Sequence, residues 1–447
     1  MAEVALMIDQ IAQPKVLVLG AGVTGASCAR YFAAKNVRAM FADTREFPPG
    51  LAEINAAMPD AFVQLGLLPN EVPMGVQKIV VSPGLQPPEA LIEAALSAGV
   101  SVVSDIDLFL SEETGPVLLV TGSNGKSTVT SLVNHILCHA GIDSVAGGNL
   151  GTPALDLLMD GRKTVVLELS SFQLERGDLP HSKVATILNL SIDHIDQHGS
   201  FEAYRDAKKR IYNHCEIAVV NRAEPSLMSN VSSRHISFGL DKPKAGHWGV
   251  CDKHVMFGSE SVMPIAELPL LGQHNLQNVL AAFAIAHACN VSIDVLVSGV
   301  LSFTGLPHRM ELVPTKDGVA WINDSKATND AAAAASITSS LGPLILIAGG
   351  DGKGSTFELL ADAMSGRDAQ ALVFGKDASI LQAVLAPICS VMRVKNLTEA
   401  VAIASVDAAE GSTVLLAPAC SSLDMFASFS ERGDMFVDLI MNLEREE

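Results

Sequence analysis

A chain of three α/β domains is predicted by three observations. Short apolar runs alternate with helical stretches along the sequence, the pattern of parallel sheets built from βαβ units. Two glycine-rich turns, at 20–25 and 122–125, each follow an apolar run and open a helical stretch. With 447 residues, 49% apolar and 18% charged, the chain has material for two to four domains with ample cores.

The N-terminal domain, expected over residues 1–104, is Rossmann-like. Strands are read at 15–19, 38–42, 78–81 and 100–103. The turn Gly20-Ala-Gly-Val-Thr-Gly25, with Asp43 closing the second strand, satisfies a dinucleotide fingerprint. Its physical content is broader. A glycine turn lets a helix N-terminus approach a diphosphate, and UDP carries one as NAD does. Arg45 can pair with phosphate or a uracil carbonyl. A turn required only for close strand–helix packing is the bland alternative.

The middle domain, expected over 105–305, is a P-loop ATPase-like parallel sheet. The apolar run 116–120 leads into Thr121-Gly-Ser-Asn-Gly-Lys-Ser-Thr128, after which Val129, Leu132, Val133, Ile136 and Leu137 recur at helical spacing. Glycines let successive amides face phosphate oxygens, and the helix N-terminus adds a positive dipole. Gly122, Ser123, Asn124 and Gly125 would form this cradle. Lys126 would reach the outer phosphates, and Ser127 or Thr128 would hold Mg²⁺. The spacing is shorter than the general motif, with Val120 where a glycine is usual.

Further strands are read at 164–168, 184–188 and 217–220, short strands and turns at 235–270, and a helix at 275–287. Glu168 ends its strand, where a carboxylate beside a phosphate loop can hold Mg²⁺. His194, between Asp193 and Asp196, follows the next strand and can face metal or phosphate. Lys208 falls on the inward side of an amphipathic helix, four residues after Tyr204. A buried lysine needs a partner, a lowered pKa or carbamylation, which turns it into an anionic ligand. The third domain, expected over 306–447, is again Rossmann-like, with strands at 320–322, 344–347, 371–374 and 413–416 and a helical stretch at 357–364.

Several motifs occur in order: 121–128, Glu168-Leu-Ser-Ser-Phe-Gln173, Asp193-His-Ile-Asp196, Tyr204-Arg-Asp-Ala-Lys208, Gly272-Gln-His-Asn-Leu-Gln-Asn278, Leu306-Pro-His-Arg309 and Asn323-Asp-Ser-Lys-Ala-Thr-Asn329. Together they resemble the Mur ligase family, ATP-dependent amide-forming enzymes of peptidoglycan precursor synthesis, over essentially the whole chain. The segment 417–433, Asp43-Thr-Arg45 and Gly350-Asp-Gly-Lys353 resemble the D-glutamate-adding members. Two departures, Ala417 before Pro-Ala and Gln197 where a basic residue is frequent, touch substrate contacts and no reacting group.

The resemblance implies a reaction and a set of roles. ATP would activate the carboxylate of UDP-N-acetylmuramoyl-L-alanine as an acyl phosphate, which the amine of D-glutamate then attacks. Two Mg²⁺ ions are implied: one served by Ser127, Thr128 and Glu168, the other by His194 and a carbamylated Lys208. Asn275 and Asn278 would contact adenine, and Arg309 and Asp324 the phosphate and ribose ends of ATP. Val23, Thr24, Asp43, Arg45 and Ser82 would serve the UDP-sugar, with Asn149 at its muramoyl part. Thr328, Lys353, Ser422, Leu423 and Phe429 would hold D-glutamate. Groups drawn from three domains imply a hinged closure.

Other classes are constrained by composition. A net charge of −19 argues against nonspecific nucleic-acid binding, and 5% aromatics leaves little for base stacking. No apolar run reaches membrane-spanning length and the first residues lack a signal-peptide pattern. Seven scattered cysteines without a C-x-x-C fit reduced thiols, and a cytoplasmic monomer is expected. Two other readings stay open from residues alone: a nicotinamide dehydrogenase using 20–25, and a nucleotide-dependent switch.

Overall fold

The computed structural model describes residues 14–158, 161, 164–177, 179, 181–191, 198–227, 234–270, 272–314 and 318–443. Among these, three parallel or mainly parallel sheets follow one another along the chain. The first contains β1 (Val16–Leu19), β2 (Ala39–Asp43), β3 (Val63–Leu65), β4 (Lys78–Val81) and β5 (Ser101–Val103), in the order β3-β2-β1-β4-β5. All its pairs are parallel. The strand order reverses between β1 and β4, and the 20–25 turn leaves β1 at that point, where doubly wound sheets bind ligands.

The second sheet contains β6 (Val117–Thr121), β7 (Ser144–Gly148), β8 (Thr164–Glu168), β9 (Ser182–Ile187), β10 (Cys215–Asn221) and β11 (Arg234–Phe238). Its order is β11-β10-β9-β6-β8-β7, parallel throughout. Strand β6 is thus flanked by β8 and β9, with Val120 paired to Glu168 and Thr121 to Ile187. A small antiparallel sheet follows: β12 (Trp248–Cys251), β13 (His254–Phe257) and β14 (Glu260–Pro264). The third large sheet contains β15 (Glu311–Val313), β16 (Ala320–Asn323), β17 (Leu344–Gly349), β18 (Ala369–Phe374), β19 (Ser390–Arg393) and β20 (Thr413–Leu416), in the order β15-β16-β20-β17-β18-β19. Only β15 runs antiparallel.

The buried strands follow their predicted spans closely, because a strand covered on both faces reads as a continuous apolar run. Strands β3, β7, β15 and β19 escape the sequence pattern. Each is short, lies at a sheet edge and is incompletely buried.

The chain divides into two compact units. One holds the described residues up to Ala266 together with Asn278–Leu301, and the other holds Glu267–Gln277 and the described residues from Ser302. Within the first unit, helix Val23–Ala34 of the first sheet is bonded to elements of the second. Arg30 grips Asp156 with two bonds, Nε to Oδ1 at 2.9 Å and Nη2 to Oδ2 at 2.6 Å. Tyr31 donates to Glu112 at 3.0 Å. Asp107 accepts from Ser104 and from the Leu179 amide, so the connecting segment is pinned on both sides.

In the second unit, the guanidinium of Arg432 is fully buried and donates to the Ser325 hydroxyl and to the carbonyls of Ser325, Gly349 and Cys420. Burial lowers its pKa to about 10. These bonds join the segments that leave β16, β17 and β20. Asp351 and Ser421 exchange backbone bonds at 3.0 and 2.9 Å and stitch two of those loops directly.

Asp105, beside this connecting segment, is 4% exposed, and its Oδ1 has no hydrogen bond. Burial raises its carboxyl pKa to about 6. A carboxyl raised above its unfolded value favours the fold at low pH, and that contribution is lost as pH rises through about 6. Relative to Asp105→Asn, the wild type is expected to lose about 2 kcal/mol of unfolding free energy between pH 4.5 and 7.5. Urea unfolding at both pH values measures this, and a pH-independent difference would contradict it.

Candidate active site

The loop after β6 enters helix Lys126–His139 through Gly125, which has φ +80° and no side-chain cap. That conformation is open to glycine at little cost. A Cβ at this position would also stand 2.3 Å from the Asn278 Oδ1. The loop therefore lies closely against Asn278, on helix Gln273–Ala288. Asn278 and Asn275, one turn apart, are both buried.

The expected amide cradle is only partly available. The Ser123 amide donates to the Asn189 carbonyl at 3.0 Å, and the Asn124 amide to the Asn189 Oδ1 at 2.8 Å. Asn189 returns a bond to the Asn124 carbonyl at 3.1 Å. The helix start at Gly125 to Thr128 lies beyond these bonds, where a helix dipole favours an anion most. Lys126 folds back, its Nζ 3.0 Å from the Gly122 carbonyl and 2.8 Å from that of Ser123. Ser127 and Thr128 are 7% and 8% exposed.

Glu168, at the end of β8, is 2% exposed. Its Oε1 accepts from the Asn149 side chain at 2.8 Å, while its Oε2 has no hydrogen bond among the described residues. A buried carboxylate oxygen left without a donor is costly, and a divalent cation removes that cost. Ser127 and Thr128 lie in the first turn of the helix that follows the neighbouring strand β6, so the residues present offer oxygens that suit Mg²⁺: hard donors, one of them anionic.

Lys208 is 1% exposed, on helix Phe201–Lys209. Its Nζ donates to the Thr121 hydroxyl at 3.2 Å and the Gly122 carbonyl at 3.0 Å, and lies 4.8 Å from the Tyr204 ring centre. The sequence argument for an inward lysine holds. Its amine reaches the phosphate loop itself. His194, with its flanking Asp193 and Asp196, and Gln197 lie outside the described residues.

Sequence reasoning passed over Asn189 and gave Tyr204 no role. Tyr204 meets the Ser123 hydroxyl at 2.8 Å, and Ser123 in turn accepts from the Ser191 amide at 2.9 Å. An asparagine just past a buried strand, and a tyrosine one helical turn before an inward lysine, were the available signals.

At the first glycine turn, the Asp43 carboxylate is fully occupied. It accepts from the Ala21 amide at 2.7 Å and from Arg45 Nη2 and Nε at 2.7 and 2.9 Å. The Arg45 bonds, ahead of its burial, hold its pKa down at about 2. Asp43 thus orients Arg45, whose side chain remains 53% exposed. Gly50 packs on the same turn: a Cβ there would lie 2.3 Å from the Gly22 carbonyl. Val23 is 65% exposed, Thr24 partly buried, and Ser82 sits under Gly20 with its Oγ 3.5 Å from that carbonyl.

In the second unit, Asp324 is buried and accepts from the Met310 amide at 3.2 Å and from the Ser336 hydroxyl. Burial raises its pKa, with Arg309 acting in the opposite sense. Lys353 is exposed at φ +51°, its amide capped by Asp351 at 2.9 Å. Ser422 is buried and Leu423 exposed on the neighbouring loop. Lys326 lies 3.9 Å from the Phe429 ring centre, and Thr328 follows two residues later.

Three family models match the chain: "Mur ligase MurD-like, N-terminal domain" over residues 14–104, "Mur ligase middle domain" over 120–286 and "Mur ligase, glutamate ligase domain" over 308–420. Proteins named UDP-N-acetylmuramoylalanine–D-glutamate ligase from Legionella pneumophila (strain Paris) and Pseudomonas aeruginosa are 41% and 40% identical. Each alignment covers 96% of this chain, and 99% and 98% of the respective relative. The fold matches the solved UDP-N-acetylmuramate-alanine ligase MurC of Thermotoga maritima at TM-score 0.60 and 18% identity, over 97% of this chain and 100% of that one. It matches MurF ligase of the same organism, solved in complex with ADP, at TM-score 0.59 and 17% identity, over 96% and 99%.

Gly125→Ala is expected to weaken ATP binding at least about tenfold, since a left-handed alanine alone costs about 1–2 kcal/mol. Calorimetric titration with a non-hydrolysable ATP analogue measures it. Wild-type affinity would show that the loop tolerates a Cβ against Asn278.

Proposed function

The chain belongs to the Mur ligase family, and on that premise we propose a residue-level account of its reaction. It is an ATP-dependent ligase that adds D-glutamate to UDP-N-acetylmuramoyl-L-alanine through an acyl phosphate, releasing ADP and phosphate, in peptidoglycan precursor synthesis. The observation that carries the local account is Glu168, buried with one oxygen unsatisfied among the described residues and paired in register with Val120, on the strand that leads into the Gly-Lys-Ser-Thr loop.

A carboxylate resists nucleophiles because attack adds charge to an anion. Transfer of the γ-phosphoryl group to the L-alanine carboxylate replaces that anion with a mixed anhydride. The amine of D-glutamate attacks its carbonyl carbon, loses a proton, and the tetrahedral adduct expels phosphate to leave the amide. We assign Lys126 to the β- and γ-phosphates, displaced from the Gly122 and Ser123 carbonyls by stronger anionic acceptors. Gly122, Ser123, Asn124, Gly125, Ser127 and Thr128 complete the phosphate end, Asn275 and Asn278 the adenine end, with Arg309 and Asp324 also serving ATP.

Ser127, Thr128 and Glu168 would hold one Mg²⁺, and His194 with carbamylated Lys208 a second. Bound there, Mg²⁺ supplies charge neutralisation at crowded phosphoryl oxygens. Carbamylation adds CO₂ to the neutral Lys208 amine with loss of a proton. The buried setting supports this, because desolvation disfavours the ammonium. The resulting anion must leave the Gly122 carbonyl, which repels it. Val23, Thr24, Arg45 and Ser82, with Asp43 behind Arg45, are assigned to the UDP-sugar, and Asn149 to its muramoyl part. Thr328, Lys353, Ser422, Leu423 and Phe429 are assigned to D-glutamate.

A nicotinamide role for the first turn is not supported. The acid that would take the ribose hydroxyls, Asp43, is already committed to Ala21 and Arg45. Domains at 1–104, 105–305 and 306–447, and a cytoplasmic monomer supplied with ATP and nucleotide-sugar, complete the proposal. Light scattering should return the mass of one 447-residue chain.

Phosphate release from ATP and Mg²⁺ is expected only with both UDP-N-acetylmuramoyl-L-alanine and D-glutamate present. Release indifferent to both would indicate a switch instead. Lys208→Ala should lose at least about 100-fold in kcat, with partial recovery on adding short carboxylic acids. A fully active variant would remove Lys208 from the metal site.

A further inference from the structure

We propose that His198 is a positioning residue of this ligase site, holding the strand end that carries Glu168 and the helix that carries Lys208 at a fixed spacing. The proposal rests on the ligase reading above. The His198 side chain is 1% exposed. Its ring lies parallel to Phe172, with centroids 5.1 Å apart and planes 4° from parallel. It meets Tyr204 edge-on at 5.4 Å and 65°. Its Nε2 is 2.9 Å from the Ser171 hydroxyl.

Those contacts reach both halves of the proposed metal site. Ser171 and Phe172 are three and four residues beyond Glu168, on the short helix Ser171–Leu174 that its strand runs into. Tyr204 is one turn before Lys208, carries the Lys208 ammonium over its ring, and bonds Ser123 of the phosphate loop. His198 also stands two residues before Ser200, whose hydroxyl caps helix Phe201–Lys209 by accepting from Ala203 at 3.1 Å. Anchoring His198 therefore sets where the Lys208 helix begins. An apolar ring would fill this space without the directional bond to Ser171. The imidazole adds that bond to the stack, which fixes rotation as well as distance.

The test uses the full chain, after wild-type enzyme has shown phosphate release dependent on both substrates. Failure at that stage would reject the ligase reading, independently of His198. His198→Ala is then expected to lower kcat and to raise the half-saturating Mg²⁺ concentration, the latter read as binding by calorimetric titration in the presence of a non-hydrolysable ATP analogue, each by about tenfold, as outer-shell changes at metal sites do. The KM for D-glutamate should stay within about twofold, and His198→Phe, which keeps the stack, should lie closer to wild type than the alanine variant in both affected quantities. An alanine variant with lowered stability or kcat but wild-type Mg²⁺ dependence would reduce His198 to a core residue and overturn the proposal. If His198→Ala does not fold, the Mg²⁺ titration of His198→Gln decides: a raised half-saturation supports the role, an unchanged one overturns it.

Discussion

Strand β6 lies between β8 and β9, and the site depends on that register. Because the three strands run parallel, their C-terminal ends emerge side by side, with Val120 beside Glu168 and Thr121 beside Ile187. The phosphate loop therefore rises between a carboxylate on one side and Asn189 on the other. A slip of one residue would turn Glu168 to the opposite face of the sheet. The Thr121 hydroxyl reinforces the register by donating to the Leu169 carbonyl at 2.7 Å. The small residues of the loop follow from the same crowding. Gly122 lies against Leu188 and Gly125 against Asn278.

The buried charges are tolerated in different ways, and the differences separate structure from function. Arg432 is surrounded by carbonyl and hydroxyl acceptors. It ties three loops together and needs no ligand. Lys208 meets the Thr121 hydroxyl, the Gly122 carbonyl and the face of Tyr204. Glu168 keeps one oxygen bare. A folded chain retains such a cost where binding recovers it.

The two glycine turns show how one backbone device is fitted to two uses by its neighbours. Both present a helix N-terminus after a parallel strand. At the first, Asp43 occupies an amide of the turn and clamps an exposed arginine over it. At the second, Asn189 occupies the Ser123 and Asn124 amides, ahead of the helix start. The first arrangement offers a guanidinium to a diphosphate or base. The second sets Lys126 at a helix N-terminus, its amine on the Gly122 and Ser123 carbonyls.

Much of this was legible in the sequence. Apolar runs marked the buried strands because strands covered on both faces need apolar side chains throughout, and the Gly-Lys-Ser-Thr turn marked a candidate phosphate site through the strand before it and the helix after it, both of which the structure contains. Ordered motifs pointed to the family. The edge strands β3, β7, β15 and β19 were not legible, since a short, incompletely buried strand has no distinctive pattern. Nor was the commitment of Asp43 to Arg45, the capture of two loop amides by Asn189, or the bridging place of His198. These are contacts between residues 2 to 65 positions apart in sequence. Composition and spacing determine which groups a chain can offer. Which of them are already spoken for is decided only when the sheet brings distant donors and acceptors within bonding distance.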